Sequence, residues 1–106
     1  MTTKELKTKL QALNISQVYG IQPQETAPPY IAYSAETANA ISADGVVVFL
    51  ASNVKLTFVS KKRDIATEKA IEEILTSNGV DFDNPEYSFD GNQKIHTVDY
   101  YFQTFD

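Results

Sequence analysis

The sequence has no cysteine, one histidine and no tryptophan among its 106 residues. Without cysteine there are no disulfides and no thiolate metal sites. With a single imidazole, His96, a first-row metal site built from soft or imidazole ligands is excluded as well. The four glycines are scattered, so no phosphate-cradling loop forms, and no serine is framed as in a nucleophile elbow. No run of eighteen apolar residues occurs, and the opening MTTKELKTKL is polar and helix-like, unlike a signal peptide. Synthesis and use in a cytoplasm, with no membrane partner, are therefore expected.

Positive charge is also scarce. Nine Lys and Arg stand against fourteen Asp and Glu, a net charge of −5. That balance opposes a nucleic-acid-binding role, which needs a basic face. Lys61-Lys62-Arg63 is the one basic run, and it reads as a solvated turn between a strand and a helix. The stretch Asp81-Phe82-Asp83-Asn84-Pro85-Glu86 gathers three carboxylates but lacks the glycine and glutamate positions of a calcium loop. It reads as a solvated acidic turn. His96 could act as a general base, but a hydrogen-bonded, sheet-facing histidine is the expected role. No enzymatic activity and no cofactor are expected.

What is present is aromatic: six Phe and six Tyr. A chain of this length buries roughly two-thirds of its unfolded surface, enough for a single domain spanning 1–106 with one core. Thr2 with Glu5 has the form of a capping box, and Leu6, Leu10 and Leu13 make one apolar stripe on a short helix. Residues 15–19 read as a short strand. Pro23, Pro28 and Pro29 forbid a helix over 21–29 and lead into a strand at 30–33. The segment 35–45, AETANAISADG, reads as a long loop of small residues, with Asp44-Gly45 as a turn signal.

Two strands, 46–51 and 54–60, are expected to form a hairpin through Ser52-Asn53. Val54, Leu56 and Phe58 share one face, and the continuous apolar run of 46–51 suggests cover on both faces. Asp64 caps a second helix whose apolar face is Ala66, Ala70, Ile71, Ile74 and Leu75, with Glu68, Glu72 and Glu73 on its solvent side. Asn78-Gly79 stops it. A second hairpin pairs 87–90 with 94–105 through Gly91-Asn92. In its last strand His96, Val98, Tyr100 and Phe102 alternate with Thr97, Asp99, Tyr101 and Gln103. One face belongs to the core, which leaves Tyr101 as a candidate contact residue on the other. The expected fold is α+β: a mostly antiparallel sheet of four to six strands with two helices packed on one side. Such a domain suits protein partners, for which exposed Tyr and Phe are typical anchors.

The ordered series TTKELKTKLQAL, VYG, PPYIAYS, ADG with the block ending VSKKRD, ATEKAIEEILTSNGV and KIHTVDYYFQTFD spans nearly the whole chain. As an ensemble it resembles the small tail-completion, or tail-terminator, proteins of long-tailed bacteriophages, often described as minor capsid or head–tail joining proteins. The resemblance implies a structural virion protein. It would form a ring, usually of six subunits, that caps the head-proximal end of the tail tube, stops tube polymerisation and offers a docking surface to the head. Implied partners are further copies of the chain, the tail-tube protein and a head-completion protein, with DNA crossing the lumen without specific binding. The 35–45 segment, with Asn39, Ile41 and Asp44, would then be an inter-subunit or lumen-facing loop, and Lys61, Lys62 and Arg63 could instead form subunit salt bridges. A head-completion or stopper protein, another connector or tail-tube subunit, or a non-viral adaptor for a single protein partner are the other classes the residues leave open.

Overall fold

The computed structural model describes residues 2–19, 28–43 and 45–105; for residues 18–19, 37–43 and 46–50 it describes the backbone. The chain runs α1 (Thr3–Gln11), β1 (Ser16–Tyr19), β2 (Tyr30–Ala43), β3 (Val46–Ser60), α2 (Ile65–Ser77), β4 (Glu86–Asp90) and β5 (Ile95–Phe105). The five strands form one open sheet in the order β1-β2-β3-β5-β4. β1 pairs parallel with β2, and every other pairing is antiparallel. The fold is α+β, as the alternation of helices and hairpins indicates.

Local chemistry sets both helices. The Thr2 hydroxyl accepts the Glu5 amide at 3.1 Å, satisfying one of the first-turn donors of α1. Asp64 does the same for the Thr67 amide at 3.1 Å and also accepts the Thr67 hydroxyl at 2.6 Å. α2 ends in a Schellman arrangement. Gly79, at φ 72°, donates to the Thr76 carbonyl, and Val80 donates to that of Leu75 at 2.9 Å. The positive φ is why glycine stands there.

The core lies between the helices and one face of the sheet. Leu6 and Leu10 of α1 and Ile71 and Leu75 of α2 are fully buried. They meet a sheet face built by register. Ile31, Phe58 and Val98 stand side by side across β2, β3 and β5, followed by Tyr33, Leu56 and Tyr100, and then Ala35, Val54 and Phe102. Phe82 closes this core edge-on against Tyr100, with ring centroids 6.0 Å apart.

Three expectations require correction. First, 46–60 is one strand rather than a hairpin. Ser52 and Asn53 sit mid-strand, paired to Thr37 and Glu36 on one side and to Thr104 and Gln103 on the other. The Gln103 amide donates to the Asn53 side chain at 3.0 Å. Second, 35–45 is not a loop. β2 continues to Ala43 with irregularities at Thr37/Asn39 and Ile41/Ser42, β3 begins at Val46, and Gly45 has φ 77°. Asp44 lies outside the described residues. The physical reason is shared. Ala, Ser and Asn are weak strand formers, but strand preference is set by the neighbour, and the apolar run of β3 supplies that neighbour. Third, Glu68 is buried, only 7% exposed, while Ala66 is exposed. The inward positions of α2 are 68, 71 and 75, so its stripe begins on a carboxylate.

Candidate assembly surfaces

The first surface surrounds the entry to α2. Arg63 leaves β3 just before the helix, and its guanidinium makes two bonds to the Glu68 carboxylate, at 2.8 and 3.2 Å. The same guanidinium lies 3.9 Å above the Tyr87 ring. A planar fork over an aromatic face combines bidentate pairing with a cation–π contact. The bond to Glu68 is the main cause that raises the Arg63 pKa further above its ordinary value. Arg63 is thus already engaged within its own chain, whereas Lys61 and Lys62 are exposed on the strand-to-helix turn. Beneath α2, the Tyr100 hydroxyl donates to the Glu68 carbonyl at 3.4 Å. Burial, followed by the nearby Glu72 and Glu68 carboxylates, pushes the Tyr100 phenol well above its usual range.

Beyond Arg63 the aromatic cluster continues onto the last hairpin. Tyr87 Oη and His96 Nδ1 are 2.6 Å apart, and the two rings stack at 5.8 Å. The Phe89 ring also packs on the imidazole, tilted, with centroids 4.7 Å apart. His96 is therefore a hydrogen-bonded histidine on the sheet face. Tyr87 is 44% exposed and Phe89 52%, with Ile65 nearby in sequence to Arg63 at 54%. The sequence does not nominate any of the three: the alternation of Tyr87 and Phe89 in a short strand looks like core, and the position of β4 at the sheet edge leaves them uncovered, while Ile65 opens α2.

The second surface is the sheet face away from the helices. Tyr101 lies there half-buried, with the Lys55 ammonium 5.8 Å from its ring centroid. Next to it the Thr57 hydroxyl donates to Asp99 at 2.6 Å. A cavity of about 620 Å³ opens where this face meets the end of β5, lined by Asn53, Val80, Asp81, Asp83, Tyr101 and Phe105 among others. Asp81, Asp83 and Glu86 are exposed, and the turn is tied to the sheet by the Asp83 amide, which donates to the Tyr101 carbonyl at 3.2 Å. The described residues contain no group of three or more His, Asp or Glu placed to hold a metal ion.

The third surface is the far end of the β2–β3 hairpin. β3 meets β5 from Ala51 onward, and β1 meets β2 only over Tyr30–Tyr33. Residues 40–43 and 46–50 therefore pair with each other alone among the described strands, and the body measures 53 × 26 × 23 Å. Ile41 belongs to this arm, opposite Phe49, and Asn39 stands at its base, opposite Ala51. The residues that the sequence nominates do not converge. Lys61–Arg63 follow the end of β3, whereas Asn39 and Ile41 lie opposite Ala51 and Phe49 in its first half. From Ala51 to the end of the strand is about 30 Å. Tyr101, opposite Lys55, lies between them. These residues therefore occupy separate parts of the described surface.

Comparison with known protein families finds no match, and no curated protein matches the chain either.

Proposed function

We propose that this chain is a structural virion subunit that forms a ring, of six copies, at the head-proximal end of a long-tailed phage's tail tube. The ring stops tube polymerisation and presents the surface to which the filled head docks. The observation that carries this reading is the arm of residues 40–43 and 46–50, whose strands pair only with each other among the described residues. A two-stranded ribbon is marginal in water by itself, and this one includes the apolar run Val46–Leu50. Assembly against neighbours would cover it. The ordered resemblance over nearly the whole sequence supplies the kind of assembly.

The mechanism is geometric. Identical subunits joined head to tail close into a ring when the rotation between them divides a full turn. Its two faces then differ, one meeting the tube and the other the head. A subunit of net charge −5 suits a channel that DNA must cross without sticking.

The test is electron microscopy of a lysate from the parent phage with this reading frame inactivated. Tails of uncontrolled length lying apart from DNA-filled heads are the expected result. Emptied heads beside normal tails would move the protein to the head side of the joint. Intact, infectious virions would overturn any assembly role and favour an adaptor with one protein partner.

A further inference from the structure

We infer that neighbouring copies of this chain join edge to edge, the β4 edge of one docking on the α1–β1 edge of the next. The inference rests on the ring reading and specifies its contact.

The sheet order places β4 and β1 at opposite ends of one open sheet. At the β4 end, the Asp83 amide reaches the Tyr101 carbonyl on the side of β5 away from β3. By the two-residue period of a strand, Asp99, Thr97 and Ile95 also aim their backbone groups at β4. Their partners there are Glu86, Ser88 and Asp90. Tyr87 and Phe89 therefore direct their N–H and C=O groups outward, and no strand follows among the described residues. Both residues are also about half exposed in their side chains. An edge with outward backbone groups and aromatic side chains is a site for strand addition.

Charge selects the occupant. Residues 81–90 carry Asp81, Asp83, Glu86 and Asp90 and no Lys or Arg, and all four carboxylates are exposed. Two β4 edges meeting each other would bring these carboxylates face to face, a like-charge penalty. The opposite edge has the opposite sign. On α1, Lys4 and Lys7 stand three residues apart on one helix face and both are exposed, whereas Lys9 lines the groove against α2; Glu5 is the one acidic residue of 2–17. Lys7 lines a groove of about 510 Å³ together with Gln11, Asn14, Ser16 and Gln17. Acidic edge against basic edge is complementary only between different ends of two copies. That is the heterologous contact a ring requires, with electrostatics fixing its direction and register.

The absence of cysteine makes the test clean. Ser16 and Ser88 are both exposed, so Ser16→Cys and Ser88→Cys probe the two edges with little perturbation. Mixed under mild oxidation, the two variants should give mixed disulfide dimers in about tenfold excess over Ser88→Cys homodimers, as expected for favourable against like-charge encounter. The excess should shrink near 1 M salt, where the screening length falls to about 3 Å. The double variant should close into covalent rings of one size. Substituting Asp81, Asp83, Glu86 and Asp90 by Lys in the Ser88→Cys chain should abolish trapping, and Lys4→Glu with Lys7→Glu in the other should restore it. Predominant Ser88→Cys homodimers, no restoration, or trapping no better than with a Lys69→Cys control would each overturn the inference. Native tails whose rings do not crosslink through these positions would also sink it, while leaving the ring reading intact. The ring reading itself falls to a different result, emptied heads beside normal tails or intact virions from the inactivated frame.

Discussion

Replacing Gln17 by Leu should stabilise the isolated domain, although it removes a polar residue from a partly exposed strand. Gln17 pairs with Ile31, so its side chain points to the helix-covered face beneath α1. Both amide atoms, Oε1 and Nε2, are shielded from solvent and meet no hydrogen-bond partner among the described residues. An amide in that state forfeits its water without replacing it, at a cost of about 1–3 kcal/mol. Leucine has a similar volume and keeps the space filled. The expected gain is about 1–2 kcal/mol, less than the full penalty because the strand is short and at an edge. For a domain of this size that raises Tm by roughly 4–15 °C. It also moves the urea midpoint up by about 1 M, for an m-value near 1.5 kcal/mol/M. Urea titration followed by circular dichroism measures it directly, with an unchanged m-value as the check that the unfolded state is the same. A midpoint that falls by a comparable amount would refute the reasoning, since the amide would then be held by an ordered water or another partner.

Leu56 is fully buried between Tyr33 and Tyr100 at the centre of the sheet, so Leu56→Ala should cost about 3 kcal/mol. Thermal melts should show Tm lower by roughly 12 °C or more, and a drop of only a degree or two would mean that the core collapses around the cavity. Asp64→Ala removes the α2 cap and should cost about 1 kcal/mol at neutral pH. The Thr67 hydroxyl, and then its amide, hold the Asp64 carboxyl below its ordinary value. The stability it contributes is full above the ordinary carboxylate range and is lost as pH falls through the lowered native value. The gap between wild type and variant should accordingly close in acid, and a gap that persists at pH 2 would refute the cap as its source. Glu68→Leu should leave Tm unchanged or raise it, because it removes the buried charge of the pair and leaves Arg63, whose side chain is 40% exposed, to water; Arg63→Met should lower Tm, because it leaves the Glu68 carboxylate buried without its cation.

Much of the local structure was legible in the sequence because its causes are local. The Thr2 and Asp64 caps, the Leu6–Leu10 stripe and the glycine stop at Gly79 each depend on residues within a few positions of one another. The final hairpin was legible too, since its turn and alternating run are contiguous. The contact surfaces were less so. Lys61, Lys62 and Tyr101 could be nominated as accessible from charge and alternation. Tyr87 and Phe89 could not, because the same alternation serves an edge strand and a central one. Glu68 reads as surface from its type and as core only from the helix's position over Tyr100.

The amino-acid sequence by itself determined where the helices start and stop, which residues share a strand face, and that one α+β domain without cysteine chemistry must form. Only the tertiary structure decided that 35–43 is strand, that Ser52 and Asn53 continue β3 instead of turning it, and which strands stand at the sheet's edges. The reason is that a β-ladder is closed by residues distant in sequence. A strand of Ala, Ser and Asn has no strong preference of its own and takes its conformation from the apolar strand that bonds to it. Exposure at an edge is likewise a property of strand order, which no single segment encodes.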